Sequence, residues 1–210
     1  KVIPRYPQVE AVEAIVARCR DPKKKQGLVW HHQGSGKTFA MAYAAAKLRQ
    51  QSDMDAPTIV IVLDRLDLIQ QTTEEFKSVG IGALKSAETK EELSRMLRED
   101  ARGVIVTTIY RFSEAGLLND RSNIVVMVDE AHRTQSGDLH KAMKMILPEA
   151  TFIGFTGTPL LRTSKARTIE VFGPYIHTYK YDEAVRDGVV LDLRYEAREV
   201  DQRVTSQAKI

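Results

Sequence analysis

The stretch Gly34-Ser35-Gly36-Lys37-Thr38 constrains this chain more than any other. It stands between an apolar run, GLVWHH (27–32), and an Ala-rich run, KTFAMAYAAAKLRQQ (37–51). The first reads as a short buried strand. The second reads as a helix, because Ala, Leu, Lys and Arg all favour that state. A strand, a tight Gly-rich turn and a helix N-terminus together suit a phosphate: backbone N–H groups converge on it and the positive end of the helix lies beneath. Gly34 and Gly36 let the backbone approach closely and take positive φ. Ser35 sits between them, Lys37 supplies a cation for the β and γ phosphates of a triphosphate, and Thr38 offers a hydroxyl to Mg²⁺. The usual pattern, G-x-x-x-x-G-K-[ST], has a glycine five residues before Gly36, where this chain has His31. That position lies where strand becomes loop, ahead of the tight cradle, so the exchange is compatible with phosphate binding.

A second stretch complements the first. In VVMVDEAH (125–132) four apolar residues push Asp129 and Glu130 to the carboxyl end of a buried strand. Ligands of open α/β sheets bind at such ends. Asp129 is suited to hold Mg²⁺ through its water shell, and Glu130 to orient and deprotonate an attacking water. With Lys37 they form a candidate catalytic set for metal-assisted phosphoanhydride hydrolysis, Thr38 and Asp129 being the metal candidates.

The remaining pattern sets the fold. TIVIVLD (58–64), GVIVTT (103–108) and ATFIGFTGTP (150–159) read as further strands, the first a continuous β-branched run as in a parallel sheet covered on both faces. Helical runs span 5–20, 66–79, 88–100 and 137–147. The alternation predicts an α/β fold: a parallel sheet with helices on both faces, in three α/β/α layers. After about residue 167 the text becomes richer in charge and Tyr, FGPYIHTYKYDEAVRDGVV. It reads as a strand, a short helix at 181–187 and another strand. The expected organisation is one domain over 1–167 and an extension over 168–210 leading out of it.

Bulk properties narrow the class. A chain of 210 residues, 43% hydrophobic, can bury a sizeable core. A net charge of +3 neither demands nor excludes a polyanionic partner. The single cysteine, Cys19, rules out an intramolecular disulfide and a Cys-based zinc site, and points to a reducing, cytoplasmic setting. No apolar run approaches the roughly 20 residues of a membrane span. The chain opens at Lys1 without Met and ends on QRVTSQAKI, as expected of a piece of a longer protein.

Asp129-Glu130-Ala131-His132 is a DEAH motif, and the chain resembles the first motor lobe of superfamily 2 helicases and translocases, a RecA-like P-loop NTPase unit. Arg5-x-x-Gln8 is similar to that superfamily's adenine-reading motif, with Tyr6 beside Gln8. Thr156-Gly157-Thr158-Pro159 looks like the motif that couples ATP hydrolysis to the nucleic-acid track, with His132 as the bridge to it. More finely, WHxQGSGKT (30–38), LDRLDL (63–68) with Gln71, VTTIYRF (106–112), DEAHRTQ (129–135), FTGTPL (155–160) and the Tyr-rich tail resemble the motor subunit of type I restriction enzymes. In that family a His, not Gly, opens the loop.

The resemblance implies an ATP- and Mg²⁺-dependent translocase of double-stranded DNA, working with methyltransferase and specificity subunits and with no membrane. It implies that Arg65, Thr107, Thr108 and Arg111 face the DNA backbone, where Arg and hydroxyl groups contact phosphates. No Asp…Glu-x-Lys nuclease constellation is found, so the cutting domain is expected before Lys1, and the second motor lobe with its arginine finger after Ile210. The piece alone is then expected to bind ATP–Mg²⁺ weakly and turn it over slowly.

Other readings stay open at this level. Another superfamily 2 motor, such as a Swi/Snf-type remodeller, shares GSGKT and DEAH. A nucleotide-gated binding module without turnover would use the loop but not a base, so Glu130 speaks against it.

Overall fold

Runs such as 59–63 and Ile124–Val128 carry apolar residues at every position, so neither face of these strands can meet water. The computed structural model describes residues 2–82, 84–99, 101–112, 116–132, 137–158 and 168–192. In chain order it holds α1 (Tyr6–Cys19), β1 (Gln26–His31), α2 (Lys37–Arg49), β2 (Thr58–Leu63), α3 (Leu68–Ser78) and β3 (Leu84–Ser86). There follow α4 (Lys90–Arg98), β4 (Gly103–Thr108), β5 (Ile124–Val128), α5 (Gly137–Ile146), β6 (Thr151–Thr156), β7 (Tyr175–Tyr179) and α6 (Tyr181–Arg186).

Among the described residues the strands form one seven-stranded sheet in the order β3-β4-β2-β5-β6-β1-β7, and every pairing there is parallel. Side chains alternate between its faces. Ile59, Ile61 and Leu63 join Ala11, Ile15, Ala44, Leu48 and Phe76 beneath α1, α2 and α3. Val60 and Val62 turn the other way, with Leu93, Leu97, Met143, Ile146 and Phe172. The expected three layers result. Four alanines of α2 (Ala40, Ala42, Ala44, Ala45) are fully buried, and their small side chains bring the helix after the Gly-rich loop close to the sheet.

Local signals set the helix starts. Thr89 caps α4, accepting from the Glu92 N–H at 3.1 Å while the Glu92 carboxylate accepts from the Thr89 N–H at 3.3 Å. In α1 the Arg5 N–H donates to the Gln8 side-chain oxygen at 2.9 Å.

The sheet runs through the boundary drawn at residue 167. β7 pairs with β1, Val29 opposite His177 and His31 opposite Tyr179, and forms the sheet's edge. The strand assigned to an outgoing extension thus completes the first unit, followed by α6 at the expected place. The further strand expected near the C-terminus lies outside the described residues. β3 was not foreseen: three residues, none fully buried, carry too little apolar pattern to register.

Candidate nucleotide site

β5, β6 and β1 are neighbours, so three sequence-distant strand ends open side by side. β1 delivers the Gly-rich loop, β5 the acids and β6 the Thr-Gly-Thr stretch. This adjacency brings the loop beside the carboxylates.

In the loop Gly34 and Gly36 carry φ of 84° and 82°, a region that side-chain-bearing residues rarely enter. Gly36 is the N-cap of α2, and Lys37 and Thr38 open its first turn. Ser35 is buried; its hydroxyl and its N–H both donate to the His32 carbonyl, at 2.5 and 3.1 Å. Gln8 braces the loop from α1. Its side-chain amide donates to the Ser35 and Gly36 carbonyls, both at 3.2 Å, and its oxygen accepts from Arg5 N–H. Both N–H donors are therefore engaged, and Gln8 is 6% exposed. In this arrangement the amide holds the loop, and the expected contact with an adenine edge stands as a proposal.

Lys37 Nζ lies 3.9 Å from Glu130 Oε1 and is almost covered, its side chain 10% exposed. A Cβ built on Gly157 would fall 2.5 Å from the same Nζ, so the ammonium packs directly over Gly157. Glu130 adopts φ of 46°, a left-handed conformation for a residue with a side chain. Such conformations persist only where surroundings hold them, and they concentrate at functional sites. Here the following N–H, of Ala131, donates to the Phe155 carbonyl of β6 at 2.8 Å. His132 Nδ1 stands 3.0 Å from Thr156 Oγ1 and 3.2 Å from Glu130 Oε2. Thr156 is fully buried and Thr158 exposed, while Pro159 lies outside the described residues.

Asp129 Oδ1 is buried with no hydrogen-bond partner among the described residues. Burial first, and the Glu130 charge second, push its carboxyl up to about 6, with Lys37 opposing. An orphaned, desolvated carboxylate oxygen is a group that a divalent cation would satisfy. No cluster of three His, Cys, Asp or Glu occurs among the described residues. One carboxylate and one hydroxyl, completed by waters and phosphates, is the donor set Mg²⁺ favours. The residues fit the ion.

His31, fully buried, hydrogen-bonds His177 on β7, Nε2 to Nδ1 at 2.8 Å. His177 Nε2 in turn approaches Glu10 on α1 at 3.4 Å. Since His31 Nδ1 has no partner among the described residues, the economical tautomer puts the His31 proton on Nε2, donating to His177, which donates to Glu10. This partner on β7 could not be read from sequence.

The four residues expected at a DNA backbone fare unequally. Thr107 is fully buried and its hydroxyl donates to the Ala87 carbonyl at 3.1 Å; Thr108 is 1% exposed. Both are sheet residues whose side chains present nothing to a partner, and their assignment is corrected. Arg65 is exposed, its guanidinium paired with Asp67 at 3.0 and 2.6 Å. Arg111 lines an open groove of about 620 Å³ with Leu66, Thr73, Lys77 and Ser86. Its Nε is buried without a partner among the described residues.

A parallel sheet with a Gly-rich loop after β1, paired acids after β5 and Thr-Gly-Thr at the end of β6 defines the RecA-like motor-lobe class. The sequence model of the SWI2/SNF2 ATPase family matches residues 7–210, and the chain belongs to that family. It is 38% identical over 216 residues to the type I restriction enzyme HindI endonuclease subunit of Haemophilus influenzae, covering 91% of this chain and 20% of that protein. It is 36% identical over 195 residues to the type I restriction enzyme SauCOLORF180P endonuclease subunit of Staphylococcus aureus, covering 88% and 21%. The chain thus spans about a fifth of the length of these relatives. The solved Sulfolobus solfataricus SWI2/SNF2 ATPase core, in complex with double-stranded DNA, matches with a TM-score of 0.61. Identity to it is 20%, over 89% of this chain and 39% of that one, a likeness of fold alone.

Proposed function

We propose that this chain is the first motor lobe of a type I restriction endonuclease subunit, which binds ATP–Mg²⁺ and couples its hydrolysis to movement of duplex DNA. The meeting of Lys37 and Glu130 at 3.9 Å carries this reading, because it joins a phosphate cation to a base-bearing strand end. The loop amides, Lys37 and the N-terminus of α2 would hold the triphosphate. Thr38 and Asp129 would hold Mg²⁺, which when bound screens phosphate charge and polarises the terminal phosphoryl group. Glu130 would then be released from Lys37 to orient and deprotonate the attacking water. His132 touches both Glu130 and Thr156, so a change at the reacting phosphate has a direct route to β6.

Movement of DNA, cutting by a nuclease domain, and assembly with methyltransferase and specificity subunits in the cytoplasm extend this reading from the resemblance to type I restriction motor subunits. Arg65 and Arg111 remain the residues proposed to meet the DNA backbone. No helix among the described residues is long and apolar enough to cross a membrane.

The test separates binding from turnover. Glu130→Gln should bind ATP–Mg²⁺ like the parent yet lose hydrolysis by at least about a hundredfold. Lys37→Ala should weaken binding itself. Hydrolysis at the parental rate in both variants would refute the assignment.

A further inference from the structure

The root of the Gly-rich loop is tied to the sheet edge by backbone and side chain alike. The His32 N–H donates to the Tyr179 carbonyl at 2.9 Å, and the His32 carbonyl accepts from the N–H and the hydroxyl of Ser35, at 3.1 and 2.5 Å. One residue earlier, His31 Nε2 meets His177 Nδ1 at 2.8 Å, the ring centroids 5.0 Å apart and the planes inclined at 58°. β7 therefore grips consecutive residues where strand becomes loop.

The side-chain grip depends on a break in the ladder. β1 and β7 pair Leu28 with Tyr175 but Val29 with His177, so Ile176 has no β1 residue opposite it. Tyr175 packs on the face with Leu28 and Phe172, and Ile176 on the face with Val29 and α1. Strict alternation would return His177 to the Tyr175 face. The extra residue cancels that return, as a bulge does when it re-aims the side chains beyond it. His177 then shares the α1 face with His31, and its Nε2 reaches Glu10 of α1 at 3.4 Å. A carboxylate on Nε2 places the His177 proton there and leaves Nδ1 to accept from His31.

A glycine usually stands where His31 does, and it has no side chain to satisfy. A fully buried imidazole is different: without an acceptor its N–H would carry an uncompensated desolvation cost. Deprived of His177, the ring would turn toward another partner, and the backbone leading into the loop would shift with it.

Resting on the ATP reading above, we propose that His177 is a positioning residue of the nucleotide site: through His31 it holds the root of the phosphate loop in its binding geometry. Glu10 sets the tautomer in which it does so. His177 acts through His31 and touches no phosphate.

The parent is compared with His177→Phe, which keeps a ring but removes the acceptor, and with His177→Asn, whose side-chain oxygen lies near the place of Nδ1. Each is titrated calorimetrically with Mg²⁺–tripolyphosphate at about pH 8, where histidine is ordinarily neutral. Thermal melts and imidazole ¹⁵N spectra accompany the titrations. The parent should show His31 protonated on Nε2. His177→Phe should bind tripolyphosphate roughly tenfold more weakly, the scale of one lost buried hydrogen bond. His177→Asn should recover most of that loss, so that affinity follows the acceptor rather than the melting temperature. Parental affinity in His177→Phe, equal losses in both variants, or a His31 proton on Nδ1 in the parent overturns the role of His177 and leaves the ATP reading standing. Should His177→Phe not fold, the parent spectrum is read with tripolyphosphate bound: persistence of the Nε2 proton supports the role, and its loss overturns it. A parent that binds no tripolyphosphate overturns the ATP reading and this role with it.

Discussion

His132 Nδ1 lies 3.0 Å from the hydroxyl of Thr156, joining the end of β5 to the end of β6. The same nitrogen is 3.2 Å from Glu130, so the imidazole stands between the proposed base and the Thr-Gly-Thr stretch. Thr156→Val keeps the shape and removes the hydroxyl. It should cost about 1 kcal/mol of stability and leave ATP affinity within about twofold. Stimulation of ATP hydrolysis by duplex DNA should fall. ATPase rates with and without DNA measure this, and parental stimulation in the variant would end the coupling role.

Gly157 is needed for the space it leaves. A methyl group there would meet Lys37 Nζ at 2.5 Å, and the flexible lysine is the partner able to give way. Gly157→Ala should therefore fold normally but shift the ammonium, weakening tripolyphosphate and ATP binding together by roughly tenfold. Titration calorimetry beside a thermal melt distinguishes this from a folding defect. Unchanged affinity would show that Lys37 leaves Gly157 freely.

Gly36→Ala should act in two separable ways. Its φ of 82° carries a left-handed penalty of roughly 1–2 kcal/mol for any side chain. The added methyl also runs into the Gln8 amide. Adding Gln8→Ala to Gly36→Ala removes the collision but not the strain, so the double variant should be more stable than the sum of the two singles predicts. Urea unfolding of all four chains gives the coupling; strict additivity would mean that Gln8 does not press on the loop.

His31 should make the fold acid-sensitive. Burial, with His177 and Lys37 nearby, lowers its pKa from 6.5 to about 3. The folded pKa lies below the unfolded one, so the stability is fully present above pH 6.5 and is lost as pH falls toward 3. Between pH 7 and 5 the loss attributable to this group should be on the order of 2 kcal/mol. His31→Gln should flatten the slope of urea-unfolding stability over that window. An equal slope in parent and variant would place the acid sensitivity elsewhere.

Much of this protein was legible before any coordinates. Continuous β-branched runs such as TIVIVL and IVVMV specify strands buried on both faces, and an Ala-rich run after Gly36 specifies a helix that can lie close to a sheet. GSGKT and DEAH point to the proposed chemistry through residue type and short spacing. The strand order was not legible, because parallel pairing is set by contacts between residues far apart in the chain. Only the fold seats β6 between β5 and β1, so that Lys37 and Glu130 meet. It also adds β7 to the sheet edge, bringing His177 to His31 and Asp187 to Tyr6. Gln8 and Thr107 make the distinction clearest. Their polar side chains suggest contact with a ligand, yet packing directs one amide to the loop carbonyls and one hydroxyl to Ala87, since a buried polar group must find a partner where the fold places it.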